Sequence, residues 1–203
     1  MKMNLKSIAQ VASFLIALGS RTATAQSNYD IVASRSSIMR LSGISNLRNW
    51  SMNTGTFSGS ARFNFAPGVT GRLQSVGILA FSLPVLNLKS HNRLMDQDAY
   101  KALKTETYKN ILFRLSGSKV VAGKHANEYF VYATGNLTIA GITRPIDLDV
   151  SCVMVDDGSI VCSGEYKLKM KDYGLKPPVL MLGALRTGEF VTLNYSMVYR
   201  KSN

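Results

Sequence analysis

The chain has 203 residues, 46% of them apolar, with 24 Lys and Arg against 12 Asp and Glu for a formal charge of +12. That length supplies one domain with a sizeable core. The basic residues are scattered singly, with no basic run and no nucleic-acid module, and the two histidines, His91 and His125, stand far apart. A nucleic-acid surface and a histidine metal cluster are thereby excluded.

The first 25 residues have the anatomy of an export leader: Lys2 and Lys6, then the apolar run IAQVASFLIALG (8–19), then the small residues ATA (23–25). The run is shorter than the roughly 20 apolar residues a membrane span needs. The expected organisation is a leader over 1–25, cleaved near Ala25, and a single exported domain over 26–203, periplasmic or secreted; a non-cleaved anchor is the alternative. Removing the leader takes away Lys2, Lys6 and Arg21, leaving 21 basic against 12 acidic residues. Such a balance suits peripheral contact with an anionic membrane surface.

Period-two alternation predicts strands from residue 29 onward, first over 29–33 and 36–44. In FSGSARFNF (57–65), Phe57, Gly59, Ala61, Phe63 and Phe65 share one face, and Ser58, Ser60, Arg62 and Asn64 the other. A strand over 72–83 carries Leu79 and Phe81. RLMDQDAYKALK (93–104) breaks the pattern: Leu94, Ala99, Ala102 and Leu103 have helical spacing, and Pro and Gly are absent. Strands resume over 110–117, with Phe113, and over 127–139.

From residue 146 the inward row is Ile146, Leu148, Val150, Cys152 and Met154, followed by Ile160, Cys162, Gly164, Tyr166, Leu168 and Met170. A three-residue loop Asp156-Asp157-Gly158 with a left-handed Gly158 would set Cys152 opposite Cys162 and permit a disulfide. A two-residue turn would put the thiols on opposite faces. KPPVLMLGALRTGE (176–189) reads as a loop, since Pro177 and Pro178 lack backbone donors, yet it carries Val179, Leu180, Met181, Leu182 and Leu185. Those side chains must bury against something: they either line a barrel mouth or plug it. The last strand, 190–200, alternates Val191, Leu193, Tyr195, Met197 and Tyr199 with Thr192, Asn194 and Ser196. Many long antiparallel strands with one apolar face each point to an all-β closed barrel or a sandwich.

Catalytic chemistry finds little purchase. No serine sits in a GxSxG setting, and AGKH (122–125) has the wrong spacing for a phosphate loop and suits a hairpin turn. Asp147 and Asp149 lie two apart on a polar strand face, where solvation is the default. The expectation is a non-enzymatic protein without cofactor or metal.

Several segments in order resemble the YceI-like family of exported lipid-binding proteins: LSGISNLRNW (41–50), LKSHNRLMDQDAYKALKTETYKNILF (88–113), GNLTIAGITRPIDLDV (135–150) and KMKDYGLKPPVLMLGALRTGEFVTLNY (169–195). The third is close to that family's Gly-x-Leu-Thr-x-x-Gly-x-Thr-Lys/Arg-Pro signature. The chain departs from the family pattern at Ile44, Arg48, Asn49, Met95 and Lys109. The resemblance implies a lipocalin-like antiparallel barrel of about eight strands, with one short helix in a connection and a long isoprenoid or acyl lipid in the lumen. Expected ligand contacts are Phe57, Phe63, Phe65, Leu79, Phe81 and Phe113 from the first strands, and Met154, Met170, Tyr195 and Met197 from the later ones. Leu180, Met181, Leu182 and Leu185 are expected from the loop, and Trp50 either caps the lumen or packs as core. The competing expectation is an envelope interaction protein whose filled barrel binds a protein partner through its surface or the 176–189 segment.

Overall fold

The computed structural model describes residues 25–67, 71–180 and 185–202, with only the backbone of residues 25, 179, 180 and 185. The expected leader therefore lies outside the described residues apart from the backbone of Ala25. Among the described residues, eleven strands and one α-helix follow in order: β1 Ala25–Ile31, β2 Ile38–Ser45, β3 Asn49–Thr54, β4 Ser58–Phe65, β5 Leu73–Pro84, α1 Arg93–Ala102, β6 Asn110–Ala122, β7 Glu128–Ile139, β8 Ile142–Met154, β9 Ile160–Lys169, β10 Val179–Leu180 and β11 Leu185–Lys201. No helix among the described residues is long and apolar enough to cross a membrane.

Eight antiparallel strands close on themselves in the order β1-β4-β5-β6-β7-β8-β9-β11, the ring completed by β1 pairing with the end of β11 at Tyr29–Lys201 and Ile31–Tyr199. The earlier part of β11 pairs instead with β2, whose other edge carries β3. This hairpin extends the wall at one end, and reciprocal backbone bonds between Asn53 and Lys89 fasten its free side to the segment after β5. Closure gives the barrel wall no free edge strand, although two of its ladders are short.

Turn chemistry sets the registers. Ala140 and Gly141 both take positive φ, 48° and 80°, which is the type I′ turn whose twist matches a two-residue hairpin, so Ile139 pairs with Ile142. At the next hairpin Gly158 is left-handed at φ 78°, Val155 N–H bonds Ser159 O, and Cys152 falls directly opposite Cys162. The two form a disulfide with Cα atoms 4.1 Å apart, the outcome of the three-residue loop. In the chain-entropy account, closing so short a loop stabilises the fold by about 3 kcal/mol.

Two seams in the wall are held by other means. The β5–β6 ladder stops at Ala80–Arg114, and beyond it Ser118 Oγ accepts from Val76 N–H at 3.0 Å and donates to Val76 O at 2.8 Å, replacing a strand partner. The β8–β9 ladder covers Val150–Met154 only. Past it, Arg144 Nε donates to Asp172 O at 3.0 Å and pins the 3-10 turn Met170–Tyr173 against β8.

The structure corrects three expectations. The segment 176–189 is not a loop throughout, because Val179 and Leu180 pair with Arg186 and Leu185. β11 thus starts five residues before Phe190, and a register shift between Thr187 and Val191 hides its first residues from a simple alternation. The strand β3 went unexpected because Trp50, Met52 and Thr54 form too short and mixed a row to stand out.

Candidate functional site

Alternate residues of the barrel strands face inward without filling all of the space between them. They surround a cavity of about 130 Å³, comparable to an engineered apolar cavity that admits benzene. Its floor is aromatic: Phe63 makes edge contacts with Tyr29 at 5.2 Å and Tyr199 at 5.5 Å between ring centroids. The side-chain oxygens of the lining are the hydroxyls of Tyr166, Tyr195 and Tyr199; everything else is hydrocarbon or sulfur, the Cys152–Cys162 bridge included.

What keeps the space open is a set of glycines facing large rings. A Cβ on Gly135 would stand 2.3 Å from Phe113, one on Gly43 2.3 Å from Trp50, and one on Gly164 2.5 Å from Tyr195. Each ring therefore takes up room that a Cβ would occupy, the cross-strand arrangement by which aromatics shield a glycine.

Leu41, Ile111, Ile139 and Leu168 line both this lumen and a second space, an antechamber of about 370 Å³. Its roof is α1, which turns Met95, Ala99 and Leu103 toward it. That helix is fixed to the wall. Asn92 caps it by accepting from Leu94 and Met95 N–H, Asp96 accepts from Ser90 Oγ at 2.6 Å, and Tyr100 Oη donates to Leu88 O at 2.7 Å. Trp50, Met170, Leu175 and Pro178 line the sides, while Ser45, Arg48, Asn92, Asp98 and Thr187 bring polarity to the chamber.

Burial dominates the electrostatics. It pushes the Tyr195 hydroxyl up to about 12, with the Asp149 charge adding to the effect. Burial also raises Tyr199. The hydroxyl of Tyr195 and the indole N–H of Trp50 are buried without a hydrogen-bond partner.

Of the residues expected to touch a ligand, Phe63, Leu79, Phe81, Phe113, Tyr195 and Met197 line the lumen, and Trp50 and Met170 the antechamber. Phe57, Phe65 and Met154 face inward but line neither space. Phe57 packs on Phe81 at 5.6 Å, Phe65 tilts onto Tyr29, and Met154 belongs with Gly71 at the floor end. Met181 and Leu182, and the side chains of Leu180 and Leu185, lie outside the described residues. The unforeseen part is the antechamber, whose signal was the 95/99/103 spacing on α1. Among the described residues no cluster of three or more His, Cys, Asp or Glu could hold a metal.

An eight-stranded closed antiparallel barrel with an apolar lumen, entered through a helix-roofed chamber, is a lipocalin-like architecture. The YceI-like domain model matches residues 29–199, and the chain belongs to that family. Among solved structures it is similar to Burkholderia cenocepacia BcnA, at 15% identity and TM-score 0.61 over 83% of this chain and 98% of that one. It is also similar to a polyisoprenoid binding domain from Saccharophagus degradans, at 13% identity and TM-score 0.63 over 86% and 98%. A third likeness is to the Campylobacter jejuni YceI protein, at 20% identity and TM-score 0.50 over 71% and 81%. At these identities the likeness is one of fold. No curated protein sequence matches the chain.

Proposed function

We propose that this protein is an exported, non-enzymatic binding or carrier protein that holds an elongated apolar lipid, isoprenoid-like or acyl, in its barrel. The carrying observation is the apolar lumen, which shares four lining residues with the antechamber. Transfer of apolar surface from water yields about 25 cal/mol per Å², so a hydrocarbon chain threaded there needs no charged anchor. The family relative from Saccharophagus degradans, named for polyisoprenoid binding, supports the reading. Export is supported by the leader-like sequence of residues 1–25 and by a disulfide, which suits an oxidising compartment.

The mouth suggests where loading occurs. Ile44 and Leu47 on the β2–β3 hairpin are 64% and 63% exposed, and Leu94 at the start of α1 is 71% exposed. Leu94 and Arg48 both border the antechamber, and Arg93 adjoins them. Exposed aliphatic side chains with arginines nearby in sequence, on a basic protein, fit an anionic bilayer surface, into which such residues insert.

Protein purified from its native envelope without detergent should carry extractable lipid in native mass spectrometry, and stripped protein should reload from phosphatidylcholine vesicles doped with phosphatidylglycerol and a prenyl alcohol. Replacing Leu47 and Leu94 by Asp should slow vesicle loading about tenfold or more, as loss of inserted leucines implies, while uptake from cyclodextrin stays unchanged. A homogeneous lipid-free mass with no uptake from either source overturns the carrier reading. Equal vesicle loading by wild type and variant overturns the bilayer rim alone.

A further inference from the structure

The outer face of the sheet formed by β9, β11, β2 and β3 is polar over its middle rows. Lys167, Thr192, Ser42 and Ser51 make one cross-strand row, and Glu165, Asn194, Arg40 and Asn53 make another. Nearer the mouth the polar rule fails. Val191 lines the antechamber, and Phe190 beside it points outward, 46% exposed and in register with Lys169. Ile44 flanks Gly43, the partner of Val191, in the same way and is 64% exposed. A water-facing sheet face ordinarily alternates to polar side chains, so a phenylalanine and an isoleucine side by side there mark a surface that something covers.

Positive charge gathers round the same ring. Lys167 Nζ stands 4.8 Å and Lys169 Nζ 5.3 Å from the centroid of Phe190, and Lys171 lies beside Lys169. Ammonium groups sharing one ring repel each other. Glu189 takes Lys169 at 3.1 Å, and Glu165 and Asp172 are the other carboxylates of the stretch. Over residues 40–48 and 165–190 together, seven basic residues stand against three acidic ones. Protein–protein interfaces are depleted of lysine. Helices and rims that lie on anionic bilayers combine lysine with phenylalanine and leucine, the long lysine stems reaching out to the headgroups. The composition round Phe190 is of the second kind.

We infer that the outer face of β9, β11 and β2 at the mouth end anchors the barrel on an anionic bilayer, with Phe190 and Ile44 entering the headgroup region and Lys167, Lys169 and Lys171 turning to lipid phosphates. The inference rests on the reading that the mouth loads from a bilayer. It adds the side on which the barrel leans and the residues that hold it there. Ile44 joins this face to the loading rim at Leu47, so the anchored barrel keeps its mouth at the membrane surface.

The test is flotation with vesicles of phosphatidylcholine alone and of phosphatidylcholine with phosphatidylglycerol, for wild type, Phe190→Ala and a triple variant with Lys167, Lys169 and Lys171 changed to Gln. Flotation requires no lipid in the lumen, so uptake of a prenyl alcohol from cyclodextrin by the same proteins tests the carrier reading separately. Wild type should bind the vesicles that contain phosphatidylglycerol and release them in high salt. On those vesicles the triple variant should bind at least about a hundredfold more weakly and Phe190→Ala about tenfold, with cyclodextrin uptake unchanged in both. Equal binding by wild type and both variants, or wild-type binding indifferent to phosphatidylglycerol, overturns the inference and leaves carriage standing. A wild type that does not float, and instead forms a dimer that Phe190→Ala abolishes, assigns the face to a second copy and overturns the inference as well.

Discussion

Replacing Ala133 by Phe should abolish lipid uptake while leaving the barrel folded. Ala133 is a small buried residue of β7, paired with Ser118 and Leu148, and it lines the lumen. The surrounding space is already open, so an added ring fills cavity volume where in a dense core it would displace neighbours, the case that costs 1–3 kcal/mol. The expected record is unchanged far-UV circular dichroism, a melting temperature equal to or above wild type, and loss of bound lipid by at least about a hundredfold, or roughly 2.7 kcal/mol. Filling functional cavities commonly trades activity for stability in this way. A variant that folds and still loads lipid at the wild-type level would mean that the ligand seat is elsewhere. A solid barrel that binds a protein partner through its surface predicts that partner binding is indifferent to this change.

Much of this site was legible because a barrel wall writes itself in alternation. The row Phe57 to Phe65, the two rows either side of Asp156–Gly158, and Val191 to Tyr199 all point inward as the two-residue period requires. The turn at Gly158 carried its own register, and with it the disulfide. Facing inward is a local property, however, and lining a cavity is not. Phe57 and Phe65 share the parity of Phe63, and Met154 that of Cys152, but they sit near strand ends, where neighbouring rings or the loop at Gly71 cover them.

The feature that separates an open barrel from a filled one is written across strands instead of along them. Gly135 matters because β6 brings Phe113 beside it, and Gly164 because β11 brings Tyr195, pairings between segments 22 and 31 residues apart in sequence. The branching of β11 between β2 and β1 was equally hidden: one long strand serves two partners in turn, and local periodicity does not encode partners. Ser118 shows the same limit, since a polar residue in a strand reads as surface until the opposite strand proves to stop short of it.

The fold should also fail abruptly in alkali, for a reason tied to the same apolar lumen. Burial pushes the hydroxyls of Tyr173 and Tyr195 up to about 12, the charge of Asp149 adding to it at Tyr195, and raises that of Tyr199 as well. An unfolded chain releases these protons near pH 10. Between about pH 10 and 12 the unfolded state therefore binds fewer protons than the native state, and stability falls as pH rises; below pH 10 the contribution is intact. Each withheld proton steepens the fall by about 1.4 kcal/mol per pH unit. With a total stability on the order of 5–15 kcal/mol, Tyr195 and Tyr199 alone remove a sizeable share by pH 12. Denaturant unfolding measured from pH 8 to 12 should show a flat region followed by a decline, with the last part of the tyrosinate absorbance appearing only as ellipticity is lost. Tyr199→Phe should flatten that decline by one proton's worth, and Tyr195→Phe should do the same. Ionisation of these two tyrosines near pH 10 with the barrel still folded would show that their hydroxyls reach water, and their burial in the barrel wall would have to be given up.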